Sequence, residues 1–324
     1  MPLVWLTSEP RKVRLPSKGP ALLSLIKFSS MNHHKKSLFT FLFLALLTLC
    51  SSCSNRTSDS RPVITVSIEP LRYVVEQIVG DHYKVVTLMP QGASPETYEP
   101  TPRQMMELGS SELLFRTGTL GFEQTRLPQM AKTAPSCTMI DLAKGITPIV
   151  DIGHTHGDAA SESIDPHVWM STQSLMRMAE NVCEAVSRKD SIHATYYQKR
   201  LQAFTSQMDS LDLQMRHLTQ RLSSRTFLIY HPALGYLARQ YGLKQLSVEH
   251  DGKEPSAAYM QQLITLCCAE GVKVVFISRE HSGKAAQRIA QEIGAQVVEI
   301  NPLDYDVKGQ MISIANELNA AYGK

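Results

Sequence analysis

HATYYQKRLQAFTSQMDSLDLQMRHLTQRLSS, residues 193–224, decides the architecture. No Gly or Pro interrupts it, and apolar residues recur at Tyr197, Leu201, Phe204, Met208, Leu211, Met215, Leu218 and Leu222. Steps of three and four place them on one helical face. The pattern predicts a helix over about 191–223, roughly 45–50 Å long at 1.5 Å per residue. One small domain does not need such a length. The stretch is expected to be a rigid connector between two units.

Strand-like and helix-like runs alternate on both sides of it. Before it come the strand-like VITVSI (63–68), KVVTLM (84–89), ELLFRTG (112–118) and CTMID (137–141). Helical patterns lie at 71–80, from Pro102, and at 171–188. After it, TFLIY (226–230), KQLSVE (244–249), VKVVFIS (272–278) and AQVVEI (295–300) alternate with helical patterns, the last starting near 308. Apolar β-branched runs separated by helices argue for parallel sheets. The expected fold class is α/β. Two lobes with mainly parallel sheets, 63–188 and 225–324, would be joined by the helix of 189–224.

The first 62 residues read as something else. LFTFLFLALLTL (38–49) follows the basic MNHHKKS (31–37) and precedes Cys50-Ser51-Ser52-Cys53. A basic start, a short apolar run and small residues before a cysteine make a lipoprotein signal over 31–52. The run falls short of the about 20 residues that span a bilayer. Cys53 is the expected lipidated residue, 53–62 a polar tether, and 1–30 an over-called start ahead of Met31. This places the folded part outside the cytoplasm, in the periplasm or at the cell surface, anchored to a membrane by lipid. Cys137, Cys183, Cys267 and Cys268 have no metal-finger spacing and read as buried thiols. The net charge of +3 owes much to the leader and signal, so no nucleic-acid partner is expected.

Four segments carry side chains that could do chemistry. In LIYHPALGY, His231 follows a strand and opens a helix, where open α/β sheets bind ligands; a capping or packed histidine is the plain alternative. In SIDPHVWM, Asp165 could orient His167, or the segment is an Asp-Pro turn beside a packed Trp169. In GASPETYEPTP (92–102), Glu96 sits at the tip of a Pro-stiffened loop, as a ligand or as a solvated acid. In DIGHTHGDAASES (151–163), His154 and His156 make a short metal-collecting loop or a mobile polar one. A glutamate and two imidazoles from two lobes form a common divalent-metal set. No H-E-x-x-H spacing supports a zinc hydrolase.

GASPETYEPTP, DPHVWM, YHPALGYLARQYGL, EPSAAYMQQL and VVFISREHSGKAAQRIAQEIGAQVVEINPL together resemble the substrate-binding lipoproteins of zinc and manganese ABC importers, the ZnuA-like group. The resemblance implies two lobes on a rigid helix, with one metal site between them. It also implies a non-enzymatic monomer that delivers its ion to an ABC permease with an ATPase subunit. The family's first metal histidine falls on Glu96, a departure from its pattern. The second falls on His167 and the third on His231. The aspartate of manganese-binding members falls on Asn301, a poor ligand, so Glu280 in SREHS is the expected fourth ligand, with His281 as a rival. The short His154/His156 loop resembles the His-rich loop of zinc-binding members. Zinc is the expected ion, with Mn2+ or Fe2+ as alternatives; a zinc hydrolase or a metal-binding adhesin are the rival functions.

Overall fold

The structure is a computed structural model in which residues 59–151, 163–249, 255–279 and 284–324 are described. Among these residues the chain forms two four-stranded parallel sheets with helices between the strands. The first lobe holds β1 (Val63–Val66), α1 (Glu69–Val79), β2 (Lys84–Thr87), α2 (Pro102–Leu108) and β3 (Ser111–Arg116). It continues with α3 (Gly121–Thr125), α4 (Leu127–Thr133), β4 (Thr138–Asp141), the antiparallel pair β5 (Val150–Asp151) and β6 (Ser163–Ile164), and α5 (Thr172–Lys189). Then come the long helix α6 (Ala194–Thr219) and the second lobe. That lobe holds β7 (Thr226–Ile229), α7 (Gly235–Tyr241), β8 (Lys244–Ser247) and α8 (Ala257–Glu270). It ends with β9 (Val274–Ser278), α9 (Lys284–Ile293), β10 (Gln296–Ile300) and α10 (Val307–Tyr322).

The strand orders are β2-β1-β3-β4 and β10-β9-β7-β8. Counted from each lobe's own first strand, both read two-one-three-four. The order therefore reverses direction between the first and third strands of each lobe. Beside that point the carboxyl ends of the strands leave a crevice for ligands. The strand sequences suit sheets covered on both faces: β7, TFLI, is buried throughout, as the near-continuous apolar run of a parallel strand requires. Phe227 and Ile229 join the main core, while Leu228 and Tyr230 join a separate core on the opposite face. That is the two-residue alternation of a strand.

Helix α6 buries Tyr197, Phe204, Met208, Leu211 and Met215, on the face that the apolar spacing predicts. It packs against α1 and α5 of the first lobe and α10 of the second. One continuous core thus runs from Ile64 and Phe115 through Phe204 and Met208 to Phe276 and Met311. The helix has 26 residues, or about 39 Å, shorter than the sequence pattern suggests. Leu222 leaves the helix for an antiparallel bridge with Gly323, and the Ser223 amide donates to the Tyr322 carbonyl at 2.7 Å. Backbone pairing with the C-terminus replaces the last helical turn.

Hydrogen bonds also tie the lobes together. Trp169 donates its indole N–H to the Pro302 carbonyl at 2.8 Å, and Tyr305 donates to the Glu76 carboxylate at 2.7 Å. The Arg239 guanidinium donates to the Thr147 carbonyl at 2.9 Å.

One side chain corrects the cysteine reading. Cys183 and Cys267 are buried and Cys137 half-buried, but Cys268 is exposed, because adjacent helical residues point about 100° apart. Among the described residues no helix is long and apolar enough to cross a membrane. The signal of 31–52 and Cys53 lie outside the described residues.

Candidate metal centre

The second lobe's contribution starts where β7 ends. His231 stands two residues beyond Ile229, ahead of α7. Its Nδ1 lies 3.0 Å from Glu249 Oε2. Glu249 follows β8, is only 7 % exposed, and is held by its own amide donating to the Tyr230 carbonyl at 2.9 Å. Burial favours the neutral His231 ring, but Glu249, Glu96 and Asp165 outweigh it and raise its pKa above the ordinary histidine value.

The first lobe repeats the device with different parts. Asp165 is fixed by its amide donating to the Ile149 carbonyl at 2.9 Å. Its Oδ1 accepts from the His167 backbone amide at 2.9 Å and lies 2.9 Å from His167 Nδ1. The Asp-Pro-His turn thereby fixes both backbone and ring. Gly235 at the start of α7 makes room for this carboxylate: a Cβ there would lie 2.3 Å from Asp165 Oδ2. Behind His167, the ring of the fully buried Trp169 packs edge-on at 5.4 Å.

Glu96 arrives on the loop between β2 and α2. Thr97 donates its amide to the Ser94 carbonyl at 3.2 Å, and the Glu96 amide donates to Ser94 Oγ at 3.3 Å. Further along, Tyr98 donates to the Leu88 carbonyl at 2.8 Å and packs edge-on against Phe122. Thr101 and Gln104 form a reciprocal capping box at the start of α2. The loop is fastened on both flanks, yet the Glu96 side chain remains 51 % exposed.

The three converge. His231 Nε2 lies 3.3 Å from His167 Nε2 and 3.6 Å from Glu96 Oε1. An ionised carboxylate can only accept, so on each ring Nδ1 carries the hydrogen and Nε2 presents a lone pair. Two lone pairs facing each other at this distance require a proton or a cation between them. Zinc bonds of 2.0–2.1 Å in a tetrahedron put neighbouring ligand atoms about 3.3–3.4 Å apart, close to the spacing seen. Glu96, His231 and Glu249 also offer ligand atoms within 4.8 Å of one another. Glu249, however, meets His231 through Nδ1, on the side of the ring away from His167, so it orients the ring instead of completing the set.

The cavity around these atoms has a volume of about 70 Å3 and is lined also by Pro166, Leu120, Ser278 and Leu303. Ser278 Oγ is buried and finds no hydrogen-bond partner among the described residues. Asn301 stays out: its side chain donates to Asp304 at 3.1 Å and accepts from the Leu303 amide at 3.1 Å, within its own turn. Of the residues expected from the sequence, Glu96, His167 and His231 are together. Glu280, His281, His154 and His156 lie outside the described residues. Glu249 and Ser278 escape sequence reasoning. The one available signal was position, since each stands at or just after a strand's carboxyl end.

A family profile described as "ZnuA: Zinc-uptake complex component A periplasmic" matches residues 64–316. The chain belongs to the ZnuA family. It is 28 % identical over 282 residues to the high-affinity zinc uptake system protein ZnuA of Bacillus subtilis, covering 82 % of this chain and 88 % of that one. The iron-binding protein YfeA of Yersinia pestis is 28 % identical over 272 residues, covering 80 % of this chain and 84 % of that one. A crystal structure of ZnuA superposes with a TM-score of 0.75 at 33 % identity, covering 81 % of this chain and 99 % of that one. The ZnuA family is one of periplasmic solute-binding components of metal uptake, and it accommodates relatives named for different ions.

Proposed function

We propose that this chain captures zinc in the interlobe cleft on Glu96, His167 and His231 and releases it to an ABC permease driven by an ATPase subunit. The observation that carries this reading is the pair of imidazole Nε2 atoms 3.3 Å apart, each ring backed by a carboxylate at Nδ1. Two imidazoles and one carboxylate suit zinc, which also exceeds Mn2+ and Fe2+ in intrinsic affinity for such donors. Three carboxylates around the rings supply the negative charge that a dication neutralises. The fourth position falls to Glu280 or to a water that Ser278 Oγ can bond. Glu280→Gln separates these: weaker zinc binding selects Glu280, and unchanged binding selects the water.

Capture without catalysis fits the cavity. Its volume of about 70 Å3 is far below the roughly 300–1,000 Å3 of organic-ligand pockets, which disfavours a hydrolase with a bulky substrate. Lipidation of Cys53 would hold the protein beside its permease, with 53–62 as tether. The test is elemental analysis of the purified chain, followed by competition of Zn2+ against Mn2+ and Fe2+. Zinc is expected to be retained and to displace the others. Tight zinc retention by a His167→Ala/His231→Ala variant with the wild-type affinity would overturn the assignment.

A further inference from the structure

Far along α1 from the cleft, the described residues hold a second group of metal-ligating side chains. His82, Asp190 and His193 offer ligand atoms within 4.8 Å of one another. His82 closes a 3-10 turn after α1, Asp190 follows α5, and His193 closes the 3-10 turn that leads into α6. The two imidazoles face each other with centroids 4.0 Å apart and planes 35° apart. Asp190 Oδ2 lies 2.7 Å from His193 Nδ1 and accepts from the Tyr197 hydroxyl at 2.6 Å. None of these groups touches the cleft ligands.

We propose that His82, Asp190 and His193 form a second site for a divalent cation of the zinc class. Two imidazoles and a carboxylate are a zinc-type donor set, with room for water as the fourth ligand. The donors come from two turns, the one after α1 and the one between α5 and α6, and close packing holds those turns together. Gly80, with φ of 54°, swings the chain out of α1 towards α6; a Cβ there would lie 2.1 Å from the Tyr196 hydroxyl. Arg200 of α6 donates to the carbonyls of Gln77 and Glu76 at 2.7 and 3.1 Å, clamping the end of α1 to the helix that carries His193. Tyr197 aims the Asp190 carboxylate. All three ligands are half-buried, so an ion has access and the side chains retain hydration to exchange.

Binding needs only a small adjustment. Tetrahedral zinc sets its ligand atoms about 3.3–3.4 Å apart, so separations of up to 4.8 Å close by about 1.5 Å at most, the 2.7 Å contact between Asp190 and His193 widens, and the rings tilt out of their stack. The ion takes the place of the hydrogen between His193 Nδ1 and Asp190, and the ring stays neutral by carrying its hydrogen on Nε2 instead. An occupied site would fasten the end of α1 to the start of α6, adding a cross-link at the first lobe's junction with the connector.

The test uses the full chain carrying His167→Ala and His231→Ala, which removes the proposed cleft site. With zinc in the buffer, this variant is expected to bind one ion by elemental analysis after gel filtration and to melt several degrees higher than without zinc. Adding His82→Gln and His193→Gln should abolish both effects. In the otherwise native chain, the same two Gln substitutions should lower the zinc content by one ion and leave the tight site unchanged. If the Gln substitutions alter neither bound zinc nor the thermal shift, any residual ion belongs to other groups and the second site does not exist. His82→Gln alone, a change on a half-exposed turn, repeats the test should the double change impair folding. Failure here leaves the cleft reading intact, because the two sites are removed by different variants.

Discussion

The two lobes share a strand order but serve the cleft from non-equivalent places. In the second lobe, His231 follows the first strand, and Glu249 follows the second strand to hold the ring. In the first lobe, the position after the first strand is Ser67-Ile68-Glu69, which runs straight into α1. There the loop after the second strand brings Glu96, and the imidazole comes from the turn after β6. Equal topology therefore yields equal crevices, while the ligand-bearing segments are chosen by local turn chemistry. Both imidazoles nonetheless end with a carboxylate at Nδ1, buried for Glu249 and partly buried for Asp165. Glu96, half exposed on its loop, does not share that support.

The largest effect should follow from cutting either supported ring. His231→Ala and His167→Ala should each weaken zinc binding by more than about 100-fold, beyond the 10–100-fold typical of losing an orienting partner. Competition with a chromophoric chelator measures this, and unequal losses would show that one lobe dominates capture. Next in size are the supports themselves. Glu249→Gln and Asp165→Asn should each cost roughly 10–100-fold in affinity with the fold retained by circular dichroism. Glu96→Ala should cost less, about tenfold, because its carboxylate is already solvated and water can replace it. Glu96→His should hold zinc and discriminate more strongly against Mn2+, since it trades a hard oxygen for nitrogen.

Protons compete with zinc for the His231 ring. The raised pKa of His231 means that its ring takes a proton at higher pH than an ordinary histidine. Zinc needs the neutral ring, so affinity should begin to fall above the usual histidine range as pH drops. Glu249→Gln removes a carboxylate that raises this pKa and should move the onset to lower pH, visible in zinc titrations from pH 8 to about 5. In the metal-free protein the linkage has the opposite sense. The protonated ring stabilises the fold below the unfolded histidine pKa, and this is lost as pH rises through the raised folded value.

How far the sequence discloses these features depends on range. Strand and helix alternation is local, so the two lobes and the buried stripe of α6 are legible from apolar spacing. His231 at a strand end and Glu96 and His167 in Pro-marked loops stand out as candidates, but position alone leaves each open, and it is the resemblance to metal-importer lipoproteins that singles them out as ligands. The end of α6 is not legible, since it is set by pairing of Leu222 with Gly323, about a hundred residues away. Nor are α3 and α4, two short helices without a long periodic face, in a stretch shaped by buried Glu123. That carboxylate accepts from the Thr117 and Gly118 amides at 3.0 and 2.6 Å. Glu249 looks like any acid in VEHDGKE until β7 and β8 pair and bring it behind His231. The shared strand order leaves no repeat in the sequence, because many apolar residues satisfy the same buried strand position.

The smallest expected effect is a change of shape on binding zinc. A hinge needs a few residues free to change φ and ψ, but here the crossing between lobes is a helix buried along one face in a core common to both. Trp169 to Pro302, Tyr305 to Glu76 and Arg239 to Thr147 bond across the same boundary. Opening would expose Trp169 and exchange its bond to the Pro302 carbonyl for one to water, at about 0.5–1.5 kcal/mol for that bond alone. The proposed ligands need little travel, since the imidazole nitrogens already stand 3.3 Å apart. Small-angle scattering should therefore give nearly the same radius of gyration with and without zinc. A marked compaction would mean that these cross-lobe bonds break in the metal-free protein. In that case Trp169→Phe, which keeps a smaller aromatic ring but removes the donor, should favour the open form and weaken zinc binding. With rigid lobes, Trp169→Phe should instead change thermal stability and leave zinc affinity nearly unaltered.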